Sequence, residues 1–420
     1  MDRRQFLTNS AVLAGASIAA APMMSFAATS RKPDDEDFWK IIRKQYDVTD
    51  KITNLEAGYW GIMSIPVTQA YIRNTHFINS NSTYYVRREY WQDYNKIIER
   101  IAKKLNVGAD ELVLTRNATE AMSSLINGYN KLKEGDTVIY ADQDYGSMQS
   151  EMRYLKKYRG VNVVNFSVPE PASHQNMIDA YEQALKNNPK CKMLLLTHVS
   201  NRTGIITPVK EITAMAKARG VDVLLDAAHS WGQYDFDFQE LGVDFCGFNM
   251  HKWMGVPLGV GLLYIRKNRV LDIDPIRGEA GPENDDVRTR IHTGTVNFAS
   301  VLTVPDALDF RENIGQKNIE GRVRALRNQW VDQVRENKNV EILTPDDDRM
   351  HAAITSFRLK DKRSFEENSE LMKMLHEKYG VFTVAISGLA NGGAIRVSPS
   401  LYNSRKDADK LAAAINDITG

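Results

Sequence analysis

The chain alternates short, continuous apolar runs with amphipathic stretches from about residue 111 to residue 265. Apolar runs without polar alternation are typical of strands buried on both faces of a sheet. Helices between successive strands return the chain in the same direction, which favours parallel pairing. We therefore expect an α/β fold built on a mostly parallel sheet. Seven strands are predicted, at residues 111–115, 137–141, 161–166, 192–197, 221–226, 244–249 and 259–265.

The pattern changes after about residue 300. One long helical stretch is expected over residues 305–337, followed by strands near 352–359, 381–386 and 394–398 and helices at 366–378 and 406–418. This mixture predicts a smaller C-terminal α+β domain. We expect four parts in the chain: a leader at residues 1–27, an N-terminal arm at 28–60, a large domain at 61–300 and a small domain at 301–420.

The predicted leader has the composition of an export signal. Arg3 and Arg4 precede Phe-Leu, an alanine-rich run covers residues 11–21, and Ser25-Phe-Ala27 offers small residues for cleavage. The arginine pair resembles a twin-arginine signal, read by the twin-arginine translocase. An amphipathic helix is the alternative, although the alanine run has no polar face. We expect a periplasmic mature protein without a membrane span, because no other stretch approaches ~18 apolar residues.

Composition narrows the possible ligands. A net charge of +1 provides no overall field for nucleic acid or an anionic membrane surface. Two cysteines, Cys191 and Cys246, cannot build a disulfide framework and lack the spacing of metal ligands. We therefore expect a small-molecule ligand, no nucleic-acid partner and no metal.

Polar clusters follow five of the predicted strands directly. Ligands of open α/β sheets bind outside the carboxyl ends of the strands, so these clusters mark the expected site. The clusters are residues 116–119, 142–145, 197–201, 226–229 and 249–252.

Two of the clusters suggest an anion site and a buried acid. Asn117 can cap the helix that follows, and free amides at that helix start together with the Thr119 hydroxyl can hold a phosphate. A simple helix cap is the alternative. Asp226 follows an apolar strand, where a carboxylate is costly unless it is paired. A capping or salt-bridged aspartate would look the same, and His229 could be a buried structural histidine.

A third cluster carries a lysine in apolar surroundings. Met250, Trp253 and Met254 flank Lys252. Desolvation lowers the pKa of a lysine, and the neutral amine attacks carbonyl groups to form a Schiff base. An exposed surface lysine is the alternative. An amine, a carboxylate that keeps a ring nitrogen protonated and a phosphate-binding helix start are the parts that a pyridoxal phosphate site requires.

Six motifs support the same interpretation. They are RNATEA (116–121), HVSNRTGIITPV (198–209), LLDAAHSWGQ (224–233), GFNMHKWMG (247–255), HTGTVN (292–297) and IRVSPSLYNS (395–404). With these motifs in this order, the chain resembles the class V, fold-type I, pyridoxal phosphate-dependent enzymes, and most closely their isopenicillin N epimerase-like branch.

The resemblance implies roles around the cofactor ring. Lys252 would form the Schiff base with the cofactor, and Asp226 would pair with the pyridine nitrogen. His229 would lie near the ring, Asn201 would bind the ring hydroxyl, and Tyr145 would stack on the ring face. Lys252, Asp226 and His229 are thus the implied catalytic residues.

The resemblance also implies phosphate and substrate contacts. A homodimer is expected, because one of these residues would reach the phosphate in a neighbouring subunit. The implied contacts are the phosphate ligands Ala118, Thr119, Asn249 and His251, the intersubunit residue Thr295, and Arg396 as the clamp for a substrate carboxylate.

The reaction stays open at this stage. Transamination, epimerisation, elimination and decarboxylation all suit such a site, and an ordinary aminotransferase or an epimerase is compatible with it. Cysteine desulfurases look similar, but they use a cysteine shortly before the C-terminal arginine, and residues 381–395 contain none. Because an exported enzyme meets few α-keto acids, we favour an amino-acid-like or peptidyl amine substrate, by analogy with periplasmic enzymes that tailor a pyoverdine-like siderophore.

Two other classes of protein fit less well. A non-catalytic binding protein on this fold would be expected to lack Lys252 or Asp226, and both are present. A nucleotide-dependent oxidoreductase would need a G-x-G-x-x-G turn after its first strand. The glycines of residues 255–261 have the wrong spacing and follow the lysine.

Overall fold

The computed structural model describes residues 31–276, 278–279, 281, 283–292 and 294–420, so the predicted leader lies outside the described residues. The helices are α1 (Glu36–Arg43), α2 (Ile65–Arg88), α3 (Tyr90–Leu105), α4 (Ala118–Gly128), α5 (Gly146–Arg159), α6 (His174–Asn187), α7 (Val209–Lys217), α8 (Phe298–Leu302), α9 (Val304–Ile314), α10 (Gln316–Val334), α11 (Phe365–Tyr379) and α12 (Arg405–Thr419). The strands are β1 (Thr53–Asn54), β2 (Leu112–Thr115), β3 (Thr137–Ala141), β4 (Asn162–Phe166), β5 (Cys191–Thr197), β6 (Asp222–Asp226), β7 (Phe245–Asn249), β8 (Gly261–Ile265), β9 (Val340–Ile342), β10 (Thr355–Leu359), β11 (Val381–Phe382), β12 (Val384–Ile386) and β13 (Ala394–Val397).

Seven strands form the central sheet in the order β2-β8-β7-β6-β5-β3-β4. Strand β8 runs antiparallel to both of its neighbours, and every other pair is parallel. The strands β3, β7 and β8 are buried along their whole length. Apolar clusters cover both faces of the sheet, as continuous apolar strands require. The predicted mostly parallel, seven-stranded α/β architecture is therefore confirmed.

A second sheet lies in the C-terminal part of the chain. Its four strands pair antiparallel in the order β12-β13-β10-β9. Strand β1, from the N-terminal arm, pairs in parallel with β11, and Glu56 bridges to Ser398 beyond β13. The arm is thus anchored on the C-terminal strands. The domain boundaries at residues 60 and 300 stay predictions.

Three details differ from the sequence-based expectation. The helical stretch expected over residues 305–337 is divided at Gly315, whose φ of +89° is incompatible with an α-helix, giving α9 and α10. The strand expected at 352–359 begins only at Thr355. Residues 381–386 form two short strands, because β11 pairs with β1 and β12 pairs with β13.

The N-terminal part is more helical than the sequence pattern indicated, since α1, α2 and α3 all precede the central sheet. Within the described ranges, none of the helices combines the length and hydropathy that a bilayer crossing needs.

Candidate active site

The carboxyl ends of β6 and β7 bring three of the predicted residues together. Asp226 is the last residue of β6, and its parallel register places it opposite Gly247 of β7. The chain then turns so that Lys252 Nζ lies 2.9 Å from Nε2 of His229. Trp253 Nε1 contacts Nδ1 of the same imidazole at 3.2 Å. The histidine thus links the lysine to the tryptophan.

The hydrogen bonds of His229 favour one protonation state of Lys252. Indole nitrogen is a donor only, so Nδ1 of His229 must accept from Trp253. A neutral imidazole then carries its hydrogen on Nε2, and that hydrogen points at Lys252 Nζ. An ammonium group has no lone pair to accept it. The geometry therefore favours the neutral amine, which is the nucleophilic form of lysine.

Electrostatics act in the same direction. Burial, with a smaller contribution from the charge of Arg396 and against an opposing effect of Asp226, lowers the pKa of Lys252 to about 8. Burial also takes the pKa of His229 well below its usual range, with a further contribution from Lys252. Lys252 as a whole residue is half-buried.

Two buried acceptors match groups of pyridoxal phosphate. Asp226 is buried, and within the described part of the chain it forms no ion pair within 4.0 Å. Burial raises its pKa, so a cationic N–H donor would stabilise its carboxylate. Asn201 Oδ1 is buried and has no hydrogen-bond partner in the part of the chain that the structure describes. A protonated ring nitrogen would suit Asp226 and a ring hydroxyl would suit Asn201, so the residues present fit the cofactor.

The N-terminus of α4 supplies the predicted phosphate contacts unequally. The Ala118 amide donates to Asn249 Oδ1 at 2.8 Å, and the Glu120 amide donates to Asn117 Oδ1 at 2.8 Å. The amide and hydroxyl of Thr119 have no hydrogen-bond partner among the described residues. Thr119 is therefore the predicted ligand whose donors are free at this helix start, where an anion is stabilised.

His251 is held in its neutral form. Its Nδ1 faces the Val260 carbonyl oxygen at 3.0 Å, and burial lowers the pKa of the ring. The imidazole is therefore neutral, with Nε2 as its acceptor. Its predicted contribution to a phosphate stays a prediction.

Two predicted cofactor residues lie outside this hydrogen-bonded cluster. Tyr145 precedes α5 and is 41% exposed. Thr295 is exposed and lines an open cavity of about 930 Å³ together with Arg116 and Glu120. Their roles stay predictions, because the hydrogen bonds of the described residues connect neither side chain to Lys252 or His229.

Comparison with known proteins identifies the family. The family model described as "Aminotransferase class-V" matches residues 65–411. The chain belongs to the class-V aminotransferases. The cofactor of this family is pyridoxal 5′-phosphate, as the sequence motifs predicted.

Curated relatives of this class-V enzyme have more than one activity. It is 26% identical to an isopenicillin N epimerase from Streptomyces clavuligerus over 342 residues, covering 77% of this chain and 83% of the relative. It is 25% identical to a cysteine desulfurase from Serratia proteamaculans over 367 residues, covering 82% and 85% of the two chains.

A solved structure confirms the fold. The class-V enzyme superposes with a TM-score of 0.78 on a mutant of C-DES that carries glycine covalently linked to its PLP cofactor. The two chains are 20% identical, and the match covers 89% of this chain and 99% of the other. The predicted pyridoxal phosphate fold type I is therefore confirmed.

Arg396 of the class-V enzyme already binds a carboxylate of its own chain. Its Nη2 lies 2.7 Å from Oε1 of Glu56 and its Nε lies 3.2 Å from Oε2. Sequence reasoning missed Glu56, since no local pattern links two residues 340 positions apart. The predicted clamp for a substrate carboxylate stays a prediction, because a substrate would have to share or displace this ion pair.

Asp144 is a second buried acid near the site. It accepts from Thr197 Oγ1 at 2.6 Å and from the Ala141 amide at 2.7 Å. Burial, with a smaller contribution from the negative charge of Asp226, raises the pKa of Asp144 to about 7. Asp144 lies within the polar cluster that follows β3, so position alone could have indicated it.

Proposed function

We propose that this chain is an exported pyridoxal phosphate-dependent enzyme that acts on the amine of an amino-acid-like or peptidyl substrate. The observation that carries the proposal is the Lys252 amine, with its lowered pKa, held 2.9 Å from His229 at the same sheet edge as the buried Asp226, which forms no ion pair among the described residues. A nucleophilic amine and a buried acid without a cation are what a pyridoxal phosphate site needs from its protein.

The residues of this chain divide the work. Lys252 would carry the cofactor aldehyde, Asp226 would hold the ring nitrogen and Asn201 would hold the ring oxygen. Thr119 would bind the phosphate at the start of α4. When bound, pyridoxal phosphate supplies an electron sink for the bond that breaks at the amine-bearing carbon. Lys252 would be the residue of this chain that takes up and returns a proton at that carbon.

An isopenicillin N epimerase-like epimerisation is the second candidate reaction. It is supported by the relative from Streptomyces clavuligerus, and it needs a group that returns a proton to the carbon, such as Lys252. A desulfurase reaction is disfavoured, because a desulfurase needs a reactive thiol. Cys191 and Cys246 are both buried, and burial raises the pKa of Cys191 to about 12.

The visible spectrum of the purified protein tests this proposal. The wild-type protein should show the absorbance of the bound cofactor, and Lys252→Ala should lose it. A panel of amino acids, amino-acid amides and short peptides should contain members that shift the band. A colourless protein that gains no absorbance after incubation with pyridoxal phosphate would contradict the proposal.

We also propose that the enzyme works in the periplasm after export by the twin-arginine translocase. The support is the Arg3-Arg4 pair followed by an alanine-rich run and small residues at 25–27. Tailoring of a pyoverdine-like siderophore would suit such a location. Replacing both arginines by lysine should move the protein from the periplasmic to the cytoplasmic fraction, and an unchanged distribution would contradict export by this route.

A homodimer is part of the proposal. Thr295 would reach the phosphate of a partner subunit from the rim of the 930 Å³ cavity, which aromatic residues such as Tyr90, Trp91 and Phe298 also line. Light scattering should give twice the mass of one chain. Thr295→Val should weaken cofactor retention while leaving the dimer mass unchanged, whereas a monomeric wild-type protein would refute this part.

A further inference from the structure

The guanidinium of Arg396 is engaged on two of its edges. Glu56 binds the edge formed by Nε and Nη2, with distances of 3.2 and 2.7 Å. Nη1 donates to the backbone oxygen of Asn201 at 2.7 Å. A bidentate pair of this kind is a strong, geometrically specific contact. The positive charge that would attract a substrate carboxylate is therefore already compensated.

Glu56 is held as firmly as the arginine. Its Oε1 accepts from the Tyr59 amide at 2.9 Å, and its Oε2 accepts from the Ser398 hydroxyl at 3.0 Å. A Cβ on Gly58 would lie 2.9 Å from both Arg396 Cζ and Glu56 Oε1, so the backbone there packs closely against the ion pair. Glu56 is therefore a fixed, buried counter-ion of Arg396.

Protein groups also cover the guanidinium from outside. Arg396 is only 2% exposed, and the Tyr59 ring centroid lies 4.7 Å from its Cζ. The pair lies beside the proposed cofactor site, because Arg396 Nη1 donates to the backbone oxygen of Asn201, and its two charges act in opposite directions on the pKa of Lys252. A substrate bound at Lys252 would therefore face an ion pair and not an isolated cation.

We propose that Glu56 is a specificity-determining residue that disfavours substrates with a free carboxylate on the amine-bearing carbon and favours amines whose neighbouring carboxyl group is amidated. A free carboxylate would be placed beside the Glu56 carboxylate at one guanidinium, and like charges in contact are strongly unfavourable. An amide lacks that charge. The substrate class is thus the N-terminal amine of a peptide-linked residue, and this inference rests on the function proposed above.

The segment next to Glu56 suits a substrate with a larger body. Tyr59 and Trp60 are 50% and 62% exposed, and their ring centroids lie 5.6 Å apart. Exposed aromatic rings beside a buried polar anchor provide apolar contact area for the rest of a peptidyl scaffold. A free amino acid would leave most of this area unused.

Spectral titration of the holoenzyme with a matched pair of probes tests the inference. L-Phenylalanine and L-phenylalaninamide differ at the carboxyl group, and each is titrated while the cofactor absorbance is followed. The measured quantity is the ratio of the two Kd values in wild type, Glu56→Gln and Glu377→Gln. Comparing variants cancels the different basicity of the two amines. Glu377, exposed on α11, is the control for loss of one glutamate charge.

The wild-type enzyme should bind the amide more tightly than the amino acid. Glu56→Gln should shift the ratio toward phenylalanine by about tenfold or more, because it removes the like charge at Arg396. Glu377→Gln should leave the ratio unchanged. An equal weakening of both probes in Glu56→Gln would show a structural role only and overturn the inference, as would a wild-type enzyme that does not respond to the amide.

The same experiment separates this inference from the proposed function. Cofactor absorbance that responds to amines, with an identical Kd ratio in wild type and Glu56→Gln, would refute the role of Glu56 alone. A protein that never takes up the cofactor would refute both.

Discussion

The contact between Trp253 and His229 provides a quantitative prediction. Trp253→Phe removes the donor that keeps a lone pair on Nδ1 of His229, so the ring can move its hydrogen from Nε2 to Nδ1. Nε2 can then accept from a protonated Lys252, which stabilises the ammonium form. The hydrogen bond from Trp253 stabilises the original His229 tautomer by about the free energy of one neutral hydrogen bond, roughly 0.5–1.5 kcal/mol. Because one pKa unit is about 1.4 kcal/mol, the pKa of Lys252 should rise from about 8 by at most about one unit.

The assay measures the rate at which the apoprotein captures pyridoxal phosphate at pH values from 6 to 10. Only the neutral amine reacts, so the rate follows the deprotonated fraction of Lys252. In wild type the rate should increase with pH, reach half of its maximum near pH 8 and level off at higher pH. In Trp253→Phe the midpoint should move upward, and the rate at neutral pH should fall by up to about tenfold. Trp330→Phe is the control, because Trp330 is also buried but its Nε1 has no hydrogen-bond partner among the described residues. An unchanged midpoint in a folded Trp253→Phe protein would refute the tautomer assignment.

Two further substitutions test other parts of the site. Asp226→Asn should weaken cofactor retention by about tenfold or more, because it removes the counter-charge for the ring nitrogen. Burial raises the pKa of Asp226, so its ionised form lowers the stability of the apoprotein as pH rises. The Asp226→Asn apoprotein should therefore melt at the same temperature as wild type, or at a higher one, at neutral pH. A lower melting temperature with undiminished cofactor retention would contradict the assigned role. Gly61→Ala would place a Cβ 1.9 Å from the Lys252 carbonyl oxygen, whereas Gly220→Ala meets nothing within 4 Å and bears only the roughly 1–2 kcal/mol cost of its left-handed backbone. Gly61→Ala should therefore lower both the melting temperature and cofactor retention more than Gly220→Ala, and equal effects in calorimetry would show that Gly61 does not support Lys252.

Local sequence patterns predicted the central sheet well. The strands at 137–141 and 244–249 are apolar runs that end at polar residues, and the structure places β3 and β7 within one residue of those bounds. The spatial order of the strands was not predicted, because hydrophobic periodicity contains no information on which strands are neighbours. The break at Gly315 was missed because the apolar pattern continues on both sides of it.

The site was predictable where its parts follow strand ends. Asp226, His229 and Lys252 are all within a few residues of β6 or β7, so the topology of parallel strands brings them together. Glu56 escaped prediction because its partner is 340 residues away and the two-residue strand β1 has no sequence pattern of its own. The hydrogen bond between Trp253 and His229 also depends on a turn whose shape the sequence does not reveal.

Borohydride reduction followed by peptide mass spectrometry tests the central claim most directly. Reduction of the purified holoprotein should attach the cofactor permanently to one peptide, with the added mass on Lys252. Lys252→Ala should show no such adduct while retaining its fold by circular dichroism. An adduct on a different lysine, or a coloured wild-type protein that borohydride leaves unmodified, would contradict the assignment of Lys252 as the amine that carries the cofactor.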